Sequence, residues 1–232
     1  MAAVLALPVL LPLLLPPPAA AAEAKEETSA ELLAKIREAM ARVRTTYTEY
    51  DQERTLDLFD EPLRSSGAMV FEQPDRIRWE TCAPYQSILV SDGVSVAQLE
   101  RVDGAWKRLR TGFPRALKGA LDQVAAIHRG RVEEMERDFE VAAARRPDGV
   151  LMTLVPRSAD LRKTISAFEL VLRPDFSAAR ELRLKEPNGD STRIVFRNER
   201  RNVTLPDKTF DLAAPVDLKA LQEAVHGAPE RK

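Results

Sequence analysis

The chain is poor in the residues from which most active sites are made. It has 232 residues but a single cysteine, Cys82, and two histidines, His128 and His226. One cysteine rules out an internal disulfide and a thiolate metal cluster. A structural zinc site needs about four ligands, and neither histidine stands in an H-E-x-x-H or H-x-H pattern, so no metal site is expected. Cys82 is followed by Ala83 and Pro84, with no adjacent positive charge to favour a thiolate; it reads as a small buried apolar residue. There is no G-x-S-x-G, G-x-G-x-x-G or P-loop, so nucleophile-elbow, dinucleotide and nucleotide chemistry have no anchor. Ser87 and Ser91 flank an apolar run and read as turn and edge residues. No enzyme, no catalytic residue and no cofactor is expected.

Charge of one sign is lacking too. The formal net charge is -1, and the basic residues are interleaved with acids, with Arg200 and Arg201 only a short pair. A nucleic-acid partner would require a positive face, so none is expected. Aromatic residues make up only 6%, leaving an interior of aliphatic and alanine side chains, suited to alkyl chains and not to planar cofactors. Long hydrophobic runs are scarce. The apolar stretch at 4–15 is shorter than the roughly 20 residues a membrane span needs. With the small residues at 20–24 it fits a secretory leader cleaved there, although Lys or Arg before it is missing; an uncleaved anchor is the alternative. Residues 1–24 are thus expected as a signal peptide, 25–226 as one domain and 227–232 as a frayed tail. No cysteine lies near the cleavage region, so lipidation is not expected.

What is present is helix, then strands. Thr28-Ser29-Ala30-Glu31 is a capping-box pattern. Leu32, Leu33, Ile36, Met40 and Val43 follow at helical spacing, predicting an amphipathic helix to about residue 44. Strand-like segments are predicted at 47–58, 67–72, 76–81, 86–91 and 94–102, separated by signals such as Gln73-Pro74-Asp75 and Ser91-Asp92-Gly93. A helical pattern at 114–138 interrupts them. Strands resume at 139–145, 150–156, 165–172, 179–185 and 192–203, with Pro187-Asn188-Gly189-Asp190 as a hairpin turn. A last extended piece is predicted at 210–212 and a helix at 217–225. Connections this short demand antiparallel neighbours. The fold class expected is mainly β with an α lid (α+β). Its large curved antiparallel sheet forms an incomplete barrel, closed by the N-terminal and middle helices around a hydrophobic cavity.

Residues 70–93 carry a more specific signal. They include V-F-E-Q-P-D-R-I-R-W-E and, after Pro84, Y-Q-S-I-L-V-S-D-G. Phe71, Pro74, Ile77, Trp79, Pro84 and the 88–93 run resemble the family of periplasmic outer-membrane lipoprotein carriers, LolA. Tyr50-Asp51-Gln52, the run at 192–198 and Phe210-Asp211-Leu212 with Pro215 follow in the same order, so the resemblance covers most of residues 29–215. It implies a half-barrel whose cavity shields the acyl chains of a lipoprotein between the inner and outer membranes. The implied location is the periplasm, and the implied partners are acylated lipoproteins or lipids, an inner-membrane releasing complex and an outer-membrane acceptor. A monomer is expected.

Ile77 and Trp79 share one strand parity, and Arg76, Arg78 and Glu80 share the other. This puts Ile77 and Trp79 on the cavity face and the three charged residues toward solvent. Phe71, Ile88 and Val90 are expected as neighbours in the lipid-binding lining, and Phe168, Leu170 and Leu172 as lining on the far strands, where plain core packing fits each equally well. The family carries an arginine before the turn proline that fastens the helical lid. Here Gln73 precedes Pro74, so these two are the lid or gating residues. A neutral amide can bond a lid carbonyl, but without charge assistance. Two readings from other classes stay open: a lipid- or lipoprotein-sensing module that signals to a protein partner, and a lipid hydrolase, for which no nucleophile and base are visible.

Overall fold

The computed structural model describes residues 27–109, 126, 129 and 131–227. The expected leader at 1–24, most of the helical pattern expected at 114–138 (all of it before 131 except 126 and 129) and residues 228–232 of the tail lie outside them. Described elements run α1 (Ser29–Ala41), β1 (Thr45–Thr55), β2 (Leu63–Glu72), β3 (Arg76–Ala83), β4 (Ser87–Asp92), β5 (Val96–Val102), β6 (Ala105–Arg108), α2 (Val132–Asp138), β7 (Phe139–Arg146), β8 (Gly149–Pro156), α3 (Ala159–Arg162), β9 (Ala167–Leu172), β10 (Ala179–Lys185), β11 (Ser191–Arg201) and α4 (Leu218–Gly227).

The strands form one sheet of eleven in the order β6-β5-β4-β3-β2-β1-β11-β10-β9-β8-β7. Two meanders, β1–β6 and β7–β11, meet where the first strand pairs antiparallel with the last. The sheet is not closed: β6 and β7 remain edges. The tight connections come from local chemistry. Asp92 Oδ1 accepts the N–H groups of Val94 and Ser95 at 2.9 and 2.8 Å, shaping the β4–β5 turn. Asp103 and Gly104 both take positive φ, as a two-residue type I′ hairpin requires. That turn adds β6, which sequence reading did not separate. Gly67 is required by proximity, because a Cβ there would stand 1.8 Å from the Glu80 carbonyl oxygen.

One expected strand is absent. The chain at 210–212 is bent instead, because Asp211 Oδ1 accepts the N–H groups of Ala213 and Ala214 at 2.8 and 2.7 Å. Phe210 is nonetheless buried. α1 begins as its sequence predicts: Thr28 Oγ1 accepts the Glu31 N–H at 3.3 Å, and Glu31 Oε2 accepts the Thr28 N–H at 2.8 Å. Among the described residues no helix is long and apolar enough to cross a membrane.

The sheet has two chemically different faces, set by strand parity and carried from strand to strand by register. On the inner face, the one packed by α1, Leu32, Leu33, Ile36 and Met40 meet Met152, Leu154, Phe168, Leu170 and Leu172, with Met135 of α2 and Phe139. On the outer face of β1–β5, Tyr47, Val70, Ile88, Val90 and Leu99 are covered by Val203, Phe210 and the α4 residues Leu221 and Val225.

Candidate functional site

Register decides which of the expected lining residues share a surface. Phe71 pairs with Ile77 and Met69 with Trp79 across β2–β3, and Trp79 pairs with Leu89 across β3–β4. Phe71, Ile77, Leu89 and Trp79 accordingly form one cluster on the inner face. Tyr50 of β1 extends it, its ring 5.2 Å from that of Trp79 and its hydroxyl 3.0 Å from Thr81 Oγ1. Burial pushes the Tyr50 hydroxyl up to about 12, so it stays neutral. Phe168, Leu170 and Leu172 lie on the same face in the α1 cluster, the Phe168 ring 5.8 Å from that of Phe139. The inner face thus brings six of the eight expected residues together, as two clusters.

Ile88 and Val90 are a correction. They pair with Glu80 and Arg78, so they point to the outer face and pack beneath α4. Their intervening neighbour Leu89 takes the inner position. The run Ile88-Leu89-Val90 is apolar on both faces, and alternation alone could not say which parity looked inward. The charged residues of β3 are a second correction. Arg78 and Glu80 are 1% and 4% exposed because the C-terminal segment folds over them. Arg78 Nε donates to Glu80 Oε2 at 3.1 Å and Nη1 to the Thr209 carbonyl at 3.4 Å. Burial outweighs the Arg78 guanidinium and lifts the Glu80 carboxyl above its ordinary range. Arg76 is exposed, as expected, and pairs with Glu72 at 3.0 Å.

Between the two inner clusters lies a cavity of about 40 Å³. Met40 of α1 lines it, with Thr46, Thr48, Met69, Leu182 and Phe196. That is room for about one water, against roughly 300 Å³ or more for an ordinary ligand pocket. Leu32, Leu33, Ile36 and Met40 of α1 pack on the adjoining inner face. Sequence reading missed Met40, Met69, Leu182 and Phe196; the signal for the strand residues was register, which needs the pairing to be known. A larger hollow of about 340 Å³ opens on the outer face of β8–β11. Its four arginines, Arg146, Arg180, Arg183 and Arg193, lie among the carboxylates of Asp148, Glu169 and Glu181, with Glu181 accepting from Arg193 at 2.8 Å and pairing also with Arg183.

Polar contacts at the β2–β3 turn reach the chain that leaves α1. Gln73 Nε2 donates to the Val43 carbonyl and the Gln73 N–H to the Arg44 carbonyl, both at 2.8 Å. The amide therefore grips the link between α1 and β1. Cys82, half-buried on β3, has its thiol pushed up by burial and is not poised as a thiolate nucleophile.

Residues 41–213 match the family model described as "Outer membrane lipoprotein carrier protein LolA". The chain belongs to the LolA family. Curated relatives named outer-membrane lipoprotein carrier protein include one from Dechloromonas aromatica, 25% identical over 196 residues, covering 82% of this chain and 86% of the relative. Another, from Legionella pneumophila, is 24% identical over 205 residues, covering 87% and 93%. A LolA superfamily structure from Nitrosomonas europaea superposes with a TM-score of 0.41 at 10% identity, covering 79% of this chain and 97% of that one. Within the LolA family match lie β1 to β11 and the Gln73-Pro74 turn.

Proposed function

We propose that this LolA-family chain is a non-catalytic periplasmic carrier that shields the acyl chains of lipoproteins while they pass from the inner to the outer membrane. The observation that supports it most is the inner face: Phe71, Ile77, Leu89 and Trp79 on one side and Phe168, Leu170 and Leu172 on the other, separated by little more than a cavity under α1. Each buried methylene is worth about 0.8 kcal/mol, so an acyl chain of about 16 carbons strands ~12 kcal/mol of apolar surface in water. A carrier must offer an apolar surface of matching character without hydrogen-bonding specificity. Here the α1 stripe occupies that surface in the empty state, and acyl chains replace it on loading. The clients are acylated lipoproteins, received from an inner-membrane releasing complex and delivered to an outer-membrane acceptor. Residues 1–24 direct export and are removed.

The test is Ile77→Glu with Trp79→Glu. The double variant, shown folded by circular dichroism, is expected to lose uptake of a fluorescent fatty-acyl probe. Wild-type uptake in it would place the acyl chains elsewhere. Mass spectrometry of material co-purifying from the native periplasm should find lipid or acylated lipoprotein; a stable protein partner without lipid would favour a sensing module on the same scaffold.

A further inference from the structure

The β2–β3 turn touches more than α1. Two residues after Gln73, the Asp75 carboxylate pairs with Arg129. The other guanidinium nitrogen of Arg129 donates to Glu134 Oε2 in α2 at 2.9 Å. The Arg129 side chain is only 16% exposed, and its Nε is buried with no hydrogen-bond partner among the described residues. This is not a solvated surface arginine: its charge is held by two carboxylates from different parts of the chain. Arg131 also faces the node, bonded to Glu134 Oε1 at 2.8 Å. The hydrogen bond from Arg131, then that from Arg129, keeps the Glu134 carboxyl below its usual range. α2 is tied in turn to α1, with Arg37 Nη1 2.9 Å from Glu133 Oε1.

These contacts close a ring. The turn holds the exit of α1 through Gln73 and Val43, and holds α2 through Asp75, Arg129 and Glu134; α1 and α2 hold each other through Arg37 and Glu133. We infer that Asp75 and Arg129 are the charged clasp of the inner face, positioning residues that set how readily α1 and α2 give way to a ligand. The neutral Gln73 is one half of the fastening, and the charge assistance comes from Arg129 reaching into the turn. The inference rests on the carrier reading above only in saying what enters when the clasp opens.

The test is a double-mutant cycle with Asp75→Asn and Arg129→Gln on the full chain, read by amide hydrogen exchange in α1 and α2 without ligand, and by the uptake rate of a fluorescent fatty-acyl probe. Each single variant should speed exchange in both helices about fivefold, with β8–β10 unchanged, and the double should be no faster than the faster-exchanging single. In wild type, raising salt from 0.05 to about 0.5 M should reproduce part of the effect, since screening weakens a partly exposed pair. Additive effects, or exchange that rises in α2 alone, would overturn the clasp. Coupled exchange without probe uptake by any form, wild type included, would leave the clasp standing and sink the carrier reading instead. Circular dichroism checks that both singles fold; should Arg129→Gln fail to, Arg129→Lys keeps the charge without the two-pronged geometry and should show an intermediate rate, and a wild-type rate in it would overturn the assignment of the fork to Arg129.

Discussion

If α1 and acyl chains compete for one surface, trimming the grip of α1 should tighten ligand binding while it weakens the fold. Ile36 is the sharpest place to ask. It sits mid-helix, 2% exposed, in the α1 cluster. Ile36→Ala removes three carbons, about 2.4 kcal/mol of transfer free energy before any cavity cost. Ala has the higher helix propensity, so α1 itself is not penalised. The loss falls on the state in which α1 lies against the sheet and not on one in which it has been displaced. A ligand that needs α1 displaced then works against a closed state less stable by that amount, and its apparent affinity can rise by up to about 50-fold. The assay pairs equilibrium titration of a fluorescent acyl probe with urea unfolding of the ligand-free protein. Expected together are a stability loss of about 2–3 kcal/mol and a lower apparent Kd. A stability loss of that size with an unchanged or higher Kd would refute the competition between α1 and ligand.

Other consequences are local. Thr28→Ala removes the hydroxyl that accepts the Glu31 N–H and donates to Glu31 Oε2, leaving the backbone N–H bond to Glu31, and should cost about 1 kcal/mol; hydrogen exchange should show the first turn of α1 opening more readily. Gly67→Ala would drive a Cβ to 1.8 Å from the Glu80 carbonyl, backbone that cannot swing aside, so thermal unfolding should fall by well over 5 °C, or about 2 kcal/mol or more. Arg78→Met alone should cost about 3–5 kcal/mol, because Glu80 is left buried and uncompensated. Arg78→Met with Glu80→Leu should recover most of it in urea melts, whereas a pair that governs stability by attraction would leave the double variant as weak as the single. Acid should loosen α2: the Glu134 carboxyl is held low by Arg131 and Arg129, so its contribution is present above the ordinary carboxylate range and lost as pH falls through the depressed value. Exchange in 132–138 should therefore accelerate only at the acid end.

The strands and the first helix were legible because their signals are local. The Thr28/Glu31 capping box, the alternation of Ile77 and Trp79 against Arg76, and the Asp92-Gly93 turn each need only a few neighbours to specify them. What was not legible depended on contacts far along the chain. Arg78 and Glu80 read as a solvated face, and would have been one had residues 203–227 not folded over β1–β5. Ile88 and Val90 read as lining because a strand apolar on both sides leaves its parity undecided until the pairing of Trp79 with Leu89 is known. The β5–β6 hairpin was hidden for a different reason: Asp103-Gly104 is a good turn signal, but the four residues of β6 are too few to show a period. The bent 210–212 segment kept an apolar residue inside, as a strand would, and only Asp211's bonds to Ala213 and Ala214 distinguish the two.

The two faces of the sheet are covered by helices of very different commitment, and the difference says which cover can leave. α4 lies over a surface containing a buried ion pair. Lifting the segment that bonds Thr209 to Arg78 would expose or strand that pair. Gln222 Nε2 adds a 3.1 Å bond to the Tyr47 hydroxyl. An alkyl chain offers none of these bonds and cannot replace α4. α1 covers its face with Leu32, Leu33, Ile36 and Met40, groups an alkyl chain reproduces carbon for carbon, and its polar ties are at the rim. Exchange of one aliphatic surface for another would leave the sheet's burial nearly unchanged, so on the proposed carrier reading the free-energy gap between empty and loaded forms would be small. On the carrier reading proposed above, cargo must be both taken and released, which calls for a gap of that kind, and the α1 face, not the α4 face, is the one whose cover an alkyl chain could replace.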